Sequence, residues 1–341
     1  MNRKTSEVNV GIIGTGKIGF LHCRNLVYNI SEANVLSVAD VRLEAARRCA
    51  EEFGIPKFTQ DYKEILSDNS IDAVIICSST DTHSSLIEEA AKAKKHIFCE
   101  KPIALELKEI DRALNAVKES GVKLQVGFNR RFDPNFHKAR EIIKDGKIGK
   151  VLTIKIISRD PAPPGLDYLK VSGGIFADST IHDFDMARYI IGSEVIEVYA
   201  SGGVLKEEVC RKAGDLDIAI TILKFENGSI GVIENSRSTV YGYDQRVEVF
   251  GSGGVVSVGN KLLDTVEIID SEAIKKSLLP YFFTERYVES YINEMKEFMQ
   301  SILKDTAPLV SGIDGKIPIL IAKAAKLSYD ANKPVKVAEL M

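Results

Sequence analysis

No run of apolar residues in this 341-residue chain approaches the length that crosses a bilayer, so a membrane-spanning helix is not expected. An excess of charge of one sign is also missing. Lys and Arg number 45 against 48 Asp and Glu, and the signs are interspersed, which argues against a nucleic-acid or anionic-membrane surface. Cysteine is sparse. The five, at positions 23, 49, 77, 99 and 210, form neither a CxxC pair nor an even framework. Cys77 and Cys99 end apolar strand-like runs and read as buried free thiols, for which a reducing cytoplasm is the expected setting. Histidine is equally scarce at five, and the His and Cys positions lack the usual metal-ligand spacing, so no metal is expected. Residues 1–7 are polar and lead into no signal-peptide core. There is no internal repeat and no low-complexity linker. What remains is ordinary globular composition, 45% hydrophobic and 27% charged, at a length that suggests two domains.

The amino-terminal part alternates strand and helix patterns. Val8–Ile13 is an apolar run that ends in Gly14-Thr-Gly16-Lys17-Ile18-Gly19, and an apolar-periodic segment from Phe20 follows. Val35–Ala39 is a second strand, closed by Asp40 and then Val41. GxGxxG alone is weak evidence, because turns need glycine everywhere. Between a strand and a helix, with an acid ending the next strand, it fits a dinucleotide site. The glycines let backbone amides approach a pyrophosphate at a helix amino terminus, and Asp40 would accept hydrogen bonds from a ribose. The charge of Asp40 would repel a 2′-phosphate and so favours NAD over NADP, whereas Lys17 and Arg42 could pair with one. Further strands are expected at Ile71–Cys77, His96–Cys99 and Lys123–Gly127, with helices between them. The pattern predicts a doubly wound parallel sheet over residues 1–128. Ligands on such sheets sit beyond the carboxyl ends of the strands, where Gly14, Asp40, Ser78–His83, Lys101 and Asn129–Arg131 all fall.

Residues 129–341 have a different texture. Runs rich in β-branched residues, separated by turn signals such as Asn227-Gly228, predict an α+β domain with a large, mostly antiparallel open sheet. Helices are expected at Pro134–Asp145, Ser179–Ile191, Glu285–Leu303 and Ile317–Ala331, with Gly192 ending the second. An open sheet with one face to cover suggests a homo-oligomer, a dimer or a tetramer. Within this half, Asp178, His182 and Asp185 are spaced i, i+4 and i+7. On a continuous helix they would share one face, where a carboxylate can set the tautomer and basicity of an imidazole. The same pattern also fits a capped helix end with a solvated acidic face.

Glu100-Lys101-Pro102 after the fifth strand, with the glycine turn upstream and Asp178-xxx-His182 downstream, resembles the Gfo/Idh/MocA oxidoreductase family over essentially the whole chain. Gly127–Phe132 and Gly174–Asp185 are most similar to its myo-inositol 2-dehydrogenase branch. The resemblance implies a Rossmann domain and oxidation of a ring hydroxyl of a cyclic polyol or sugar, with NAD as cofactor. It implies that Lys101 touches both nicotinamide and the reacting hydroxyl, that His182 accepts the proton, and that Asp178 orients His182 or the substrate. Ser79, Thr80 and His83 would lie beside the cofactor, and Glu100 and Pro102 would shape the turn that carries the lysine. A polyol pocket also needs several polar groups, for which Arg130, Arg131, Asp160, Asp185, Tyr241, Tyr243 and Asp244 are candidates. Three alternatives stay open: a scyllo-inositol or hexopyranose dehydrogenase, a redox-assisted glycosidase, and a regulator that binds sugar without turning it over.

Overall fold

The computed structural model describes residues 7–340. The first strands and helices follow in strict turn: β1 (Val8–Ile13), α1 (Lys17–Asn29), β2 (Ala33–Ala39), α2 (Leu43–Phe53), β3 (Lys57–Thr59), α3 (Tyr62–Ser67), β4 (Ala73–Ile76), α4 (Thr80–Lys92), β5 (His96–Cys99), α5 (Leu107–Ser120) and β6 (Leu124–Val126). All six strands pair in parallel, in the order β3-β2-β1-β4-β5-β6. That is the doubly wound order, with its reversal between β1 and β4. β4 is buried along its whole length, as expected of a strand covered on both faces.

The chain continues through α6 (Pro134–Lys144), β7 (Val151–Arg159), α7 (Leu166–Leu169), α8 (Gly174–Asp178), α9 (Ile181–Ile191), β8 (Val195–Gly203) and α10 (Glu208–Ala213). Next come β9 (Ile218–Phe225), β10 (Ile230–Ser236), β11 (Asp244–Gly251), β12 (Gly254–Val258), an exposed hairpin of β13 (Glu267–Ile269) and β14 (Ile274–Lys276), and α11 (Phe283–Arg286). Helices α12 (Val288–Leu303) and α13 (Gly312–Ala331) precede a short β15 (Val335–Lys336). Seven strands form one sheet in the order β12-β11-β7-β10-β9-β8-β15, antiparallel except for β7 beside β10. Its strands alternate cleanly. Ala219, Thr221, Leu223 and Phe225 of β9 are buried, while Ile220 and Ile222 point the other way and are exposed. Val232 lies opposite Ile222 and is exposed with it, and Ile230 lies two residues along the same face. One face is thus a core face and the other is open.

Two compact units emerge. The described residues through Phe132 group with Glu289–Ile317, and Asp133–Val288 groups with the residues from Pro318 on. The return of α12 to the first unit has a packing cause. Met295, Phe298 and Met299 share one buried core with Val10, Ile12, Val38, Ile75 and Phe98 of the parallel sheet.

The expected helix at Ser179–Ile191 forms as α9, but it does not run on from Asp178 as one continuous helix. The segment around Asp178 is split, with α8 ending at Asp178 and α9 beginning at Ile181. The amides of Ser179 and Thr180 both donate to the Ile175 carbonyl, and the buried Thr180 hydroxyl donates to Asn235 Oδ1 at 2.9 Å, so the helical ladder is broken there. Asn235 Nδ2 in turn donates to Asp183 at 2.7 Å, which ties α9 to β10. The expected helix at Glu285–Leu303 divides at Tyr287, whose φ of −111° and ψ of 28° leave the helical region. Gly192 ends α9 at φ 69°, its N–H bonded to the Arg188 carbonyl as expected from the sequence.

Among the described residues of the second unit, Asp133 and Arg286 form an ion pair away from water. Asp133 caps α6 through the amides of Asn135 and Phe136, and its other oxygen accepts from Arg286 Nη1 at 2.7 Å. Both side chains are under 5% exposed. Arg286→Ala would leave a buried carboxylate without its counter-charge, and the expected loss is about 3–5 kcal/mol. Chemical unfolding checks this: adding Asp133→Asn to Arg286→Ala should recover part of the loss, and a double variant no more stable than the single one would refute the pairing.

Candidate active site

Parallel pairing brings the ends of the strands into line. Ile13 lies opposite Ala39 and Ile76, Ile76 opposite Cys99, and Cys99 opposite Val126. The residues that follow, Gly14, Asp40, Cys77, Glu100 and Gly127, therefore emerge along one edge. Gly14 has φ 92°, and a Cβ there would stand 2.6 Å from the backbone of Cys77 and Ser78. A Cβ on Gly19 would stand 1.9 Å from the Gly14 carbonyl oxygen, so only glycine lets α1 start this close to the strand end. Gly16 opens onto free space and caps α1 with no side chain, which leaves first-turn amides available to an anion. Lys17 is exposed, whereas Ile18 packs against the core.

The Asp40 carboxylate is built into this turn. One oxygen accepts from Thr15 N at 2.8 Å and from the Thr15 hydroxyl at 3.0 Å, and the other accepts from Arg42 N at 2.9 Å. Burial pushes its carboxyl up, but these donors and the nearby Arg42 charge hold it below the usual carboxylate range. It stays ionised, with lone pairs left for a hydroxyl donor. The Arg42 side chain is 75% exposed, and Val41 points to solvent. This turn fits a dinucleotide: the open glycine, the uncapped amides and the fixed carboxylate match a pyrophosphate and a ribose diol.

Ser79 is the amino-terminal cap position of α4, which begins at Thr80. One turn on, His83 is buried. Its Nδ1 is 2.8 Å from the Pro102 carbonyl oxygen and its Nε2 is 3.1 Å from that of Ser78. Burial pushes its imidazole below the usual range, although both carbonyls and Glu100 act the other way. His83 thus latches the loop after β4 to the Lys101-Pro102 turn. Lys101 follows Glu100, whose Oε2 accepts the Lys101 amide at 3.3 Å and whose Oε1 lies 2.7 Å from His22 Nε2. Arg130 and Arg131 are both buried on the turn Asn129–Phe132, and Arg131 pairs with Asp314 at 2.9 Å.

In the second unit, Asp178 is clamped. Tyr168 donates to its Oδ1 at 2.8 Å and Arg237 Nη1 to its Oδ2 at 3.1 Å. Arg237 is fully buried. It also donates to Ser179 Oγ at 3.3 Å and to Asp215 Oδ2 at 2.9 Å, while Asp215 Oδ1 accepts the Ile175 amide. His182, half-buried, lies in the first turn of α9 just past the break, and Asp185 further along α9 is fully buried. Tyr241 is held between Arg159 Nη1 at 2.6 Å and Asp244 Oδ2 at 2.9 Å. The Asp160 amide donates to the Ser236 carbonyl, which fixes the start of the segment Asp160-Pro-Ala-Pro-Pro-Gly165 beside β10.

Sequence reasoning missed Arg237, Tyr168 and Asp215, because none lies in a recognisable spacing with Asp178. It also missed His22 and Glu294, which sit within plain helical patterns. Thr15, inside the glycine turn, was open to discovery as a partner of Asp40.

Comparison with known proteins bears on the fold and the family. Residues 8–128 match the oxidoreductase family with an NAD-binding Rossmann fold, and residues 136–257 match the GFO/IDH/MocA C-terminal domain. The chain is 49% identical to the myo-inositol 2-dehydrogenase of Thermotoga maritima, over 98% of this chain and 100% of that one. It is 38% identical to the scyllo-inositol 2-dehydrogenase (NAD(+)) of Bacillus subtilis, over 97% and 96%. A crystal structure of a probable dehydrogenase from Thermotoga maritima superposes with a TM-score of 0.96 at 49% identity, over 98% and 100%. The chain belongs to the Gfo/Idh/MocA oxidoreductase family.

Proposed function

We propose that this protein oxidises a ring hydroxyl of a cyclic polyol, myo-inositol first among them, to the ketone, with NAD+ as the electron acceptor. The observation that carries this reading is the joint presence of three features. These are an ionised Asp40 beside the glycine turn, Lys101 on a turn anchored through Glu100, and an Asp178 held in place four residues before His182. A regulator without chemistry would need only the first. When bound, NAD+ supplies the electron-poor ring that takes up the hydride. Gly14, Gly16 and Gly19 would hold its pyrophosphate, Asp40 its ribose, and Ser79 and Thr80 the flank.

The rest falls to the chain. The reacting hydroxyl must lose a proton as its carbon loses hydride, so a base must reach the oxygen and a positive group must steady the developing alkoxide. We assign His182 as the base and Lys101 as the positive group, a compact ammonium on a mobile stem. Asp178, fixed by Tyr168 and Arg237, orients the imidazole or a substrate hydroxyl. Arg130, Asp160, Asp185 and Tyr241 are assigned to the remaining hydroxyls. Arg131, already paired with Asp314, is assigned a structural role.

The open sheet face, with Ile220, Ile222, Ile230 and Val232 exposed, supports self-association there as a dimer or tetramer. Five buried free cysteines fit a cytoplasmic setting, and no described helix is long and apolar enough to cross a membrane.

The first test is NADH formation by the purified protein across myo-inositol, scyllo-inositol, glucose and xylose. Preference for myo-inositol is expected; a preference for scyllo-inositol or a hexose would replace the substrate, and silence with NAD bound would remove the enzyme reading. Lys101→Ala should abolish turnover with NAD binding retained, and His182→Ala should lower kcat by ~10²–10⁴. An effect confined to KM would demote His182 to binding. Asp40→Ser should weaken NAD about tenfold and relax discrimination against NADP, because the ribose would forgo one charge-assisted hydrogen bond. Unchanged cofactor preference would place Asp40 away from the ribose. Ile222→Lys should shift sedimentation toward the monomer, and an unchanged oligomer would move the interface elsewhere.

A further inference from the structure

Beneath the Lys101 turn lies a buried group of ionisable side chains that the proposed mechanism does not use. His22 comes from α1, Glu100 from the end of β5 and Glu294 from α12. Their ligating atoms all lie within 4.8 Å of one another. His22 Nε2 is 2.7 Å from Glu100 Oε1 and 4.0 Å from Glu294 Oε1, and the His22 and Glu294 side chains are fully buried. Phe98 and Tyr291 present ring edges to the imidazole. Neither oxygen of Glu294 has a hydrogen-bond partner among the described residues. Glu100 is boxed in from below: a Cβ on Gly127 would stand 2.9 Å from its Oε2. A cation would have to part His22 from Glu100, whose separation is that of a direct hydrogen bond.

Two carboxylates this close in a dry site cannot both ionise. Burial, and then the charge of Glu100, push the Glu294 carboxyl well above the usual range. Cys77, Cys99 and His83 beside the cluster bring no charge to oppose this. Burial and Glu100 push the Cys77 and Cys99 thiols well up, and burial pushes His83 down. With Glu294 neutral, the His22 Nε2–H donates to Glu100 without competition. Glu100 Oε2 then accepts the Lys101 amide. An ionised Glu294 would repel Glu100 and compete for that N–H.

We propose that Glu294 is a positioning residue for Lys101: held as the neutral acid, it lets His22 clamp Glu100, and Glu100 fixes the turn that carries the lysine. This rests on the reading of Lys101 as the reacting lysine. Glu294→Gln keeps shape and neutrality, so kcat should stay within about threefold of the parent, whereas Glu294→Ala should lose about tenfold or more in kcat with little change in NAD affinity. The infrared C=O stretch of a protonated carboxylic acid should be present in the parent and absent in Glu294→Gln. A carboxyl raised in the folded state stabilises below its ordinary value of 4.5 and loses that contribution as pH rises through the folded value. The melting temperature of Glu294→Gln relative to the parent should therefore climb as pH rises from 4.5 toward the folded value. A Gln variant as impaired as the Ala variant would overturn the proposal, as would an unimpaired Ala variant, a missing C=O band or a pH-independent difference in melting. If the Ala variant does not fold, the Gln variant and its spectrum decide. If the parent turns over no polyol, the functional reading has failed instead. Infrared, melting and the rate of reductive methylation at Lys101, faster where the turn is loosened, still judge the cluster.

Discussion

A parallel sheet delivers the carboxyl ends of all its strands to one edge, and the chemistry of the first unit depends on that constraint. In-line register at Ile13, Ala39, Ile76, Cys99 and Val126 sets Gly14, Asp40, Cys77, Glu100 and Gly127 side by side, although 113 residues separate the first from the last. The glycine turn can approach Cys77 so closely only because Gly14 lacks a Cβ, and α1 can start against it only because Gly19 does. Asp40 then meets Thr15 across the strand ends and is held in place by it. Preorganisation of this kind spares the site the cost of ordering its groups at the moment of binding.

The second unit solves a comparable problem with charge. Arg237 is wholly buried, and burial of a guanidinium is tolerable only because Asp178 and Asp215 both face it. The result is a carboxylate with both oxygens engaged, Tyr168 on one and Arg237 on the other. Rigidity at Asp178 comes from this network rather than from helix continuity, since the helix stops at that residue. Asn235 reaches from the sheet to Thr180 and Asp183 and sets where the next helix begins, so the position of His182 is a property of the sheet as much as of its own turn.

The break after Asp178 and the division of the expected helix at Glu285–Leu303 have the same origin. Local pattern favoured continuity through Tyr287 and left a continuous helix from Asp178 to Asp185 open. The interruptions come from distant partners: Asn235 on β10, and the core that buries Tyr287. The grouping of α12 with the parallel sheet was equally invisible, because apolar spacing announces a buried face without naming the surface that covers it.

Sequence alone determined the elements whose cause is local. The glycine turn, the acid ending β2, the strand–helix alternation, the β-branched strands with their Asn227-Gly228 turn and the Gly192 stop all follow from backbone stereochemistry and periodicity within a few residues. It also carried the Lys101 and Asp178/His182 motifs. Tertiary structure alone decided which side chains meet: Arg237 with Asp178, Arg131 with Asp314, His83 with Pro102, and His22 with Glu100 and Glu294. These pairs are separated by up to 272 residues, from His22 to Glu294. Their electrostatics depend on burial and distance, neither of which a linear pattern encodes.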